Sequence, residues 1–156
     1  GKRRKPTIFE HFHDVNTAMS IDDNNDIAIG TVLGKIYLFN LNEVLVKNKK
    51  VYFIDEIIHD FINHNNKEIT SVDLIDNDGQ SFLAYSNIYG DIKLSIKNEI
   101  ETKVSDLELI GHQGASRMIM FNSKNELISM EDNKVLFWSA SVEELAKRLR
   151  NLIARD

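Results

Sequence analysis

Three short segments, Gly34-Lys35-Ile36-Tyr37-Leu38-Phe39, Gly90-Asp91-Ile92-Lys93-Leu94-Ser95 and Asn133-Lys134-Val135-Leu136-Phe137-Trp138, repeat one pattern along the chain. Each opens on a residue tolerant of positive φ and then sets a β-branched and a large apolar residue at alternate positions, which reads as a tight turn feeding a half-buried strand. A second strand is expected before each, at residues 26–30, 81–86 and 126–130, and a third before that, at 16–21, 69–74 and 116–121. The loops between them carry Asp22-Asp23-Asn24-Asn25, Asp76-Asn77-Asp78-Gly79 and Ser123-Lys124-Asn125, residues that favour hairpin connections. Every unit is thus a three-strand meander, with a fourth strand expected in the segment ahead of it, at residues 7–12, within 51–62, and at 104–110. Four antiparallel strands recurring roughly every 40 to 55 residues describe the blade of a propeller.

Composition narrows the function classes. The chain has no cysteine, which removes a disulfide framework, a thiolate metal site and a cysteine nucleophile, and points to a cytoplasmic protein. No apolar run approaches the roughly 20 residues that span a bilayer, so no membrane role is expected, and the basic run at residues 2–5 leads into no signal-like segment. A formal net charge of -5 argues against nucleic acid as a partner, because non-specific binding to phosphate backbones rests on excess Lys and Arg. The basic run itself reads as a solvated tail.

The residues also resemble a known family. Leu109-Ile110-Gly111-His112 is similar to the Gly-His element of WD repeats, and residues 127–138 resemble the strand pair that closes such a repeat on Trp. In that family a His, a Ser or Thr, a turn Asp and the final Trp hydrogen-bond in series, so the resemblance implies a structural tetrad of His112, Ser129, Asp132 and Trp138. A buried indole and a buried imidazole each need a polar partner, and a satisfied polar chain stiffens a small sheet. The spacing from His13 to Phe39 equals that from His112 to Trp138, whereas Leu33 and Tyr89 stand where the turn Asp would fall in the first two units and Ser95 replaces the terminal aromatic of the second. The likeness extends to the last blades of bacterial WD-repeat proteins, where a blade ending in Trp is followed by a Leu-rich helix.

The expected fold is therefore all-β, a partial WD40-like propeller of about three four-stranded antiparallel blades with a C-terminal amphipathic α-helix. It divides the chain into a basic tail at 1–6, repeats at 7–50, 51–102 and 103–140, and the helix at 141–156. In the helix, Val142, Leu145, Ala146, Leu149, Leu152 and Ile153 fall at helical spacing, and Ser141 with Glu144 forms a capping-box pattern. The second repeat carries an insertion, residues 51–62, read as a strand followed by a short helix because Ile54, Ile57, Ile58, Phe61 and Ile62 share a helical face. Rings of about 4 to 8 blades are usual, so three blades leave a ring to be completed by a protein partner or a second copy of the chain. Gly1 beside the basic run reads as the cut end of a larger protein.

Chemistry-bearing patterns are weak. His11 and His13 could share a strand face but lack further metal ligands, and the Asp-rich loops lack the downstream Glu of a calcium loop. Glu131 and Asp132 are adjacent and face opposite ways on a strand, and no phosphate loop or nucleophile elbow appears. The expectation is no enzyme and no cofactor, but a protein–protein interaction module. Candidate partner-binding residues are Phe53, Ile57 and Phe61 on the insertion and Leu145, Leu149 and Leu152 on the helix. A second reading is a regulatory or inhibitory subunit that sequesters a signalling or transcription protein, since the bacterial arrays it resembles often sit at the sensor ends of signalling and defence proteins.

Overall fold

A computed structural model describes residues 14–24, 26–40, 57–59, 67–96 and 107–141, with 144, 147, 148, 150, 151 and 154. The described part is all-β, in three antiparallel sheets. The first holds β1 (Asn16–Ile21), β2 (Asp26–Thr31), β3 (Ile36–Asn40) and β4 (Ile57–His59) in that order. The second holds β5 (Ile69–Asn77), β6 (Gln80–Asn87), β7 (Ile92–Ile96) and β8 (Leu107–Leu109). The third holds β9 (Met118–Phe121), β10 (Glu126–Glu131) and β11 (Lys134–Ser141).

Turn chemistry repeats with the strands. Asp22 Oδ1 accepts the amides of Asn24 and Asp26 at 2.9 and 3.0 Å, and Asn122 Oδ1 accepts those of Lys124 and Glu126 at 2.8 and 3.0 Å. These are Asx turns, in which a short side chain caps the hairpin from within. The corresponding loop of the second sheet is tighter: Asp78 and Gly79 both take positive φ between paired Asn77 and Gln80, the geometry that matches strand twist. At the other end of the sheets, Thr31 and Asn87 hold equivalent places. Thr31 Oγ1 accepts from Lys35 N, Asn87 Oδ1 accepts from Tyr89 N and Asp91 N, and Gly34 and Gly90 supply the left-handed residue of each turn. The third turn is one residue shorter, pairing Glu131 directly with Lys134 without a left-handed glycine.

Sheets meet face to face. Ala28, Ile36 and Leu38 of the first sheet bury against Ile69, Val72 and Leu74 of the second, and the same core continues to Ile119 and Leu127 of the third. A smaller cluster, Ile27, Ile29 and Tyr37, lies on the opposite face of the first sheet. Polar bonds reinforce the joints at β1, β5 and β9. Ladder registers slip at Thr17 and at Thr70, and each bulged threonine donates its hydroxyl to a carbonyl of the next sheet's leading segment, Ile69 and Ser116 respectively. Asp73 ties all three sheets: Oδ1 accepts the Ser20 hydroxyl at 2.8 Å and Oδ2 accepts the Phe121 amide at 2.6 Å.

The insertion differs from expectation. Ile57 to His59 are extended and pair with Leu38, Tyr37 and Ile36, so the helical face over Ile54, Ile57, Ile58, Phe61 and Ile62 does not form there. The edge of β3 offers unpaired backbone groups, and satisfying them outweighs the helical spacing of the side chains. Of the C-terminal segment, Ser141 Oγ accepts from Glu144 N at 3.4 Å, while the apolar stripe Val142, Leu145, Ala146, Leu149, Leu152 and Ile153 lies outside the described residues. No helix of the described residues is long and apolar enough to cross a membrane.

Candidate functional site

Two features stand out, a buried polar series in the third sheet and an exposed apolar rim on the first two. The series starts at Trp138 on β11. Its Nε1–H donates to Ser129 Oγ at 3.0 Å, and Ser129 Oγ lies 2.6 Å from His112 Nε2. On the other side of the ring, His112 Nδ1 lies 3.2 Å from Glu131 Oε2. An indole can only donate, so Ser129 Oγ accepts from Trp138, and its own hydroxyl can donate to His112 Nε2 when His112 Nδ1–H faces the Glu131 carboxylate. In this arrangement every donor of the series has an acceptor.

Local sequence explains the placement. A Cβ on Gly111 would sit 2.8 Å from Leu136 Cδ1 and 3.0 Å from the Trp138 ring, so the glycine lets both side chains approach this backbone closely. His112 follows and reaches inward with a fully buried side chain. Thus His112, Ser129 and Trp138 come together. The acidic member is Glu131 and not Asp132. Side chains alternate along β10, so Glu131 shares the face of Ser129, whereas Asp132 occupies the tip of the shortened turn. There it accepts from Arg117 Nε at 2.8 Å in solvent. The Arg117 hydrogen bond and charge hold the Asp132 carboxyl below its ordinary range, and the same contacts with Asp132 raise the Arg117 guanidinium. The signal that would have found Glu131 is this parity with Ser129, two residues earlier.

The rim is built by two equivalent turns. Val32 and Leu33 follow Thr31, and Ile88 and Tyr89 follow Asn87; all four side chains are exposed, Tyr89 by 61%. Both turns are fixed to the segment leading into an inner strand, through Val32 N to Val15 O at 2.9 Å and Ile88 N to Glu68 O at 3.1 Å. Val15 is itself exposed beside the first turn. Lys67 Nζ lies 4.8 Å from the centre of the Tyr89 ring and 2.8 Å from Asp91 Oδ2, which also accepts from Asn87 Nδ2 at 2.8 Å. Burial raises the Asp91 carboxyl, but the hydrogen bonds of Asn87 and Lys67 with the charges of Lys67 and Lys93 outweigh it and hold it below its ordinary value. Apolar side chains on rigid, hydrogen-bonded turns are suited to contact a partner at small ordering cost.

Of the other sequence candidates, Ile57 lies on β4, and Phe53, Phe61, Leu145, Leu149 and Leu152 lie outside the described residues, as do His11 and His13. Among the described residues no group of three or more His, Asp or Glu side chains is arranged to hold a metal. Sequence reasoning missed the rim residues Val15, Val32 and Ile88. Their signal was apolar residues in turns otherwise rich in Gly, Asp and Asn. In comparison with known proteins, the chain matches no family model and no curated protein sequence.

Proposed function

We propose that the chain is a portion of a WD-type β-propeller that serves as a protein–protein interaction module, without catalysis and in the cytoplasm. The observation that carries the interaction reading is the pair of equivalent turns that expose Val32-Leu33 and Ile88-Tyr89 on hydrogen-bonded backbones. The propeller reading draws support from sheets that pack face to face with β1 against β5 and β5 against β9. The His112, Ser129 and Trp138 series adds to it by joining the segment before the third sheet to its two later strands. In this reading the C-terminal segment forms the amphipathic helix and packs as a lid over one end of the sheets. An Arg150 to Gln80 hydrogen bond at the β5–β6 hairpin supports that placement.

The test uses a photo-reactive residue at Tyr89, with Asp78 as the control on the opposite, polar hairpin. Binding at the rim yields discrete protein adducts from position 89 that are absent from position 78 and lost with Leu33→Asp. The same adduct pattern from both positions refutes the reading.

A further inference from the structure

The third sheet turns one face to the second sheet and the other to solvent. Ile119 and Leu127 lie in the shared core, with Phe121 and Trp138 packed against it. Alternation along the strands then sends Met118 and Met120 of β9, Ile128 and Met130 of β10, and Val135 and Phe137 of β11 to the outer face. Cross-strand pairing sets them in two rows, Met118-Met130-Val135 and Met120-Ile128-Phe137. Every residue of the two rows is apolar, and all but Ile128 are exposed, Phe137 by 73%. Three of the chain's four methionines stand here.

This outer face does not repeat the joints that hold the sheets together. The first and second sheets set Ser20 and Asp73 at one equivalent place, and each bonds across to the next sheet. The third sets Met120 there, paired with Ile128 as Asp73 is with Ala84 and Ser20 with Ala28. In place of Thr70, whose hydroxyl crosses to Ser116, stands Arg117, whose guanidinium bonds to Asp132 within its own sheet. A further sheet docked in the manner of the first two would find no hydroxyl or carboxylate at these positions, so the face suits a neighbour held by apolar area alone.

We infer that this face joins two copies of the chain, each laying the same two rows against the other's. The inference goes beyond the proposed function, which concerns the rim, and draws on the third sheet alone. Self-pairing follows from the composition of the patch. A surface with no charged group and no hydrogen-bond donor in its side chains meets its own image without setting like charges together or stranding a polar group. Unbranched methionines adapt to one another's shape, so two identical surfaces can interdigitate. Five exposed side chains of this size present roughly 400–500 Å² of apolar surface, in the range of the largest functional patches on monomers. Twice that, about 1,000 Å², reaches the lower limit of a specific interface and suits a dimer that exchanges readily. Contact of one patch with its own copy across a two-fold axis is the commonest way in which soluble chains pair. The net charge of -5 on each copy opposes the approach at long range, where salt screens it.

Light scattering of the intact chain across a dilution series, from about 1 mM to about 10 μM, reads the association directly. The mass should approach twice 17.9 kDa at the concentrated end and fall to the single mass on dilution. Phe137→Asp and Met120→Lys should each raise the concentration of half-association by about tenfold or more, with Trp138 fluorescence reporting that both variants are folded. Added salt should lower that concentration, because it screens the repulsion between copies. Oxidation by dilute peroxide then maps the contact. In concentrated protein, Met118, Met120 and Met130 should convert to sulfoxide several-fold more slowly than in dilute protein, whereas Met19 on the first sheet, 69% exposed, should not change. A single mass at every concentration overturns the inference, as does a dimer that survives both substitutions. Slowing of Met19 together with the other three, the pattern of first sheet against third, overturns it too. Protection of the three by neutral lipid vesicles, in a chain that stays single, gives the face to a lipid surface and likewise ends the inference. Tyr89 adducts from a single-mass chain would leave the rim reading standing while removing this one.

Discussion

Replacing Ser129 by alanine tests the polar series at its joint. One hydroxyl accepts from Trp138 at 3.0 Å and meets His112 at 2.6 Å, so its loss strands an indole N–H and an imidazole nitrogen together. The His112 side chain is fully buried, and Ser129 is buried beside it. A net hydrogen bond contributes about 1 kcal/mol and a buried group left without a partner costs about 1–3 kcal/mol, so the expected loss is about 2–4 kcal/mol. With a urea slope of about 2 kcal/mol per molar, the middle of the usual range for a small domain, the midpoint falls by roughly 1–2 M. The assay is urea unfolding followed by the fluorescence of Trp138, the one tryptophan in the chain and a member of the series. Asp132→Ala is the control, because it removes a solvent-facing partner of Arg117 and leaves the midpoint where it is. Glu131→Gln keeps an acceptor for His112 Nδ1 and costs less than Glu131→Ala. Equal midpoints for Ser129→Ala and Asp132→Ala would refute the assignment of the series to this face of β10.

Three further outcomes follow from the joints and turns. Gly90→Ala meets the Gly114 carbonyl and a φ of 85°, whereas Gly79→Ala meets open space and a φ of 80°. The second should cost about 1 kcal/mol and the first distinctly more, and equal thermal midpoints would show that the Gly114 approach does not matter. Asp91 has a lowered folded pKa, so its stabilisation is complete above the unfolded value of about 3.8 and is lost as pH falls through the lower folded value. The midpoint gap between wild type and Asp91→Asn should therefore stay flat from neutral pH to about pH 4 and shrink below it; a gap that shrinks near pH 6 would contradict the ion pair. Asp73→Ala removes acceptors for Ser20 and Phe121, and amide exchange at Phe121 should quicken while exchange at Ala84, within the second sheet, stays slow. Unchanged exchange at Phe121 would remove Asp73 as a joint.

Strands were legible because their signals are local. Alternation in Ile36-Tyr37-Leu38 and Ile92-Lys93-Leu94, with Gly34 and Gly90 ahead of them, sets both turn and buried face within a few residues. The Gly111-His112 and Trp138 elements were equally readable, since one sheet brings them together through β10. Failures arose where a residue's place depends on a partner far along the chain. Ile57 and Ile58 carry a helical spacing but answer to the edge of β3, some 20 residues away. Asp132 looked like the turn acid, yet the third turn is one residue shorter than the first two and the carboxylate beside His112 is that of Glu131. Thr17, Thr70 and Asp73 read as ordinary strand residues, because only the packing of one sheet on the next reveals that they bond across it.

The three sheets are copies in topology but not in surface. On the face turned to its successor, the first sheet sets Ala18, Ser20, Ala28 and Gly30 on its two leading strands, and the second sets Ser71, Asp73, Ala84 and Ser86. Small residues there let the next sheet bring in large ones. Ile69 approaches the Gly30 backbone so closely that a Cβ would overlap it, and Trp138 and Leu127 come up on the far side of the second sheet. At the equivalent positions the third sheet sets Met118, Met120, Ile128 and Met130. Its outward surface is therefore larger in its side chains and more apolar than those of the first two sheets, and unbranched methionine lets such a surface adapt its packing. The joints inside the chain depend on close approach and fixed polar bonds, whereas a contact at this face depends on apolar area. Any contact made at this face would accordingly be weaker and more readily exchanged than those joints.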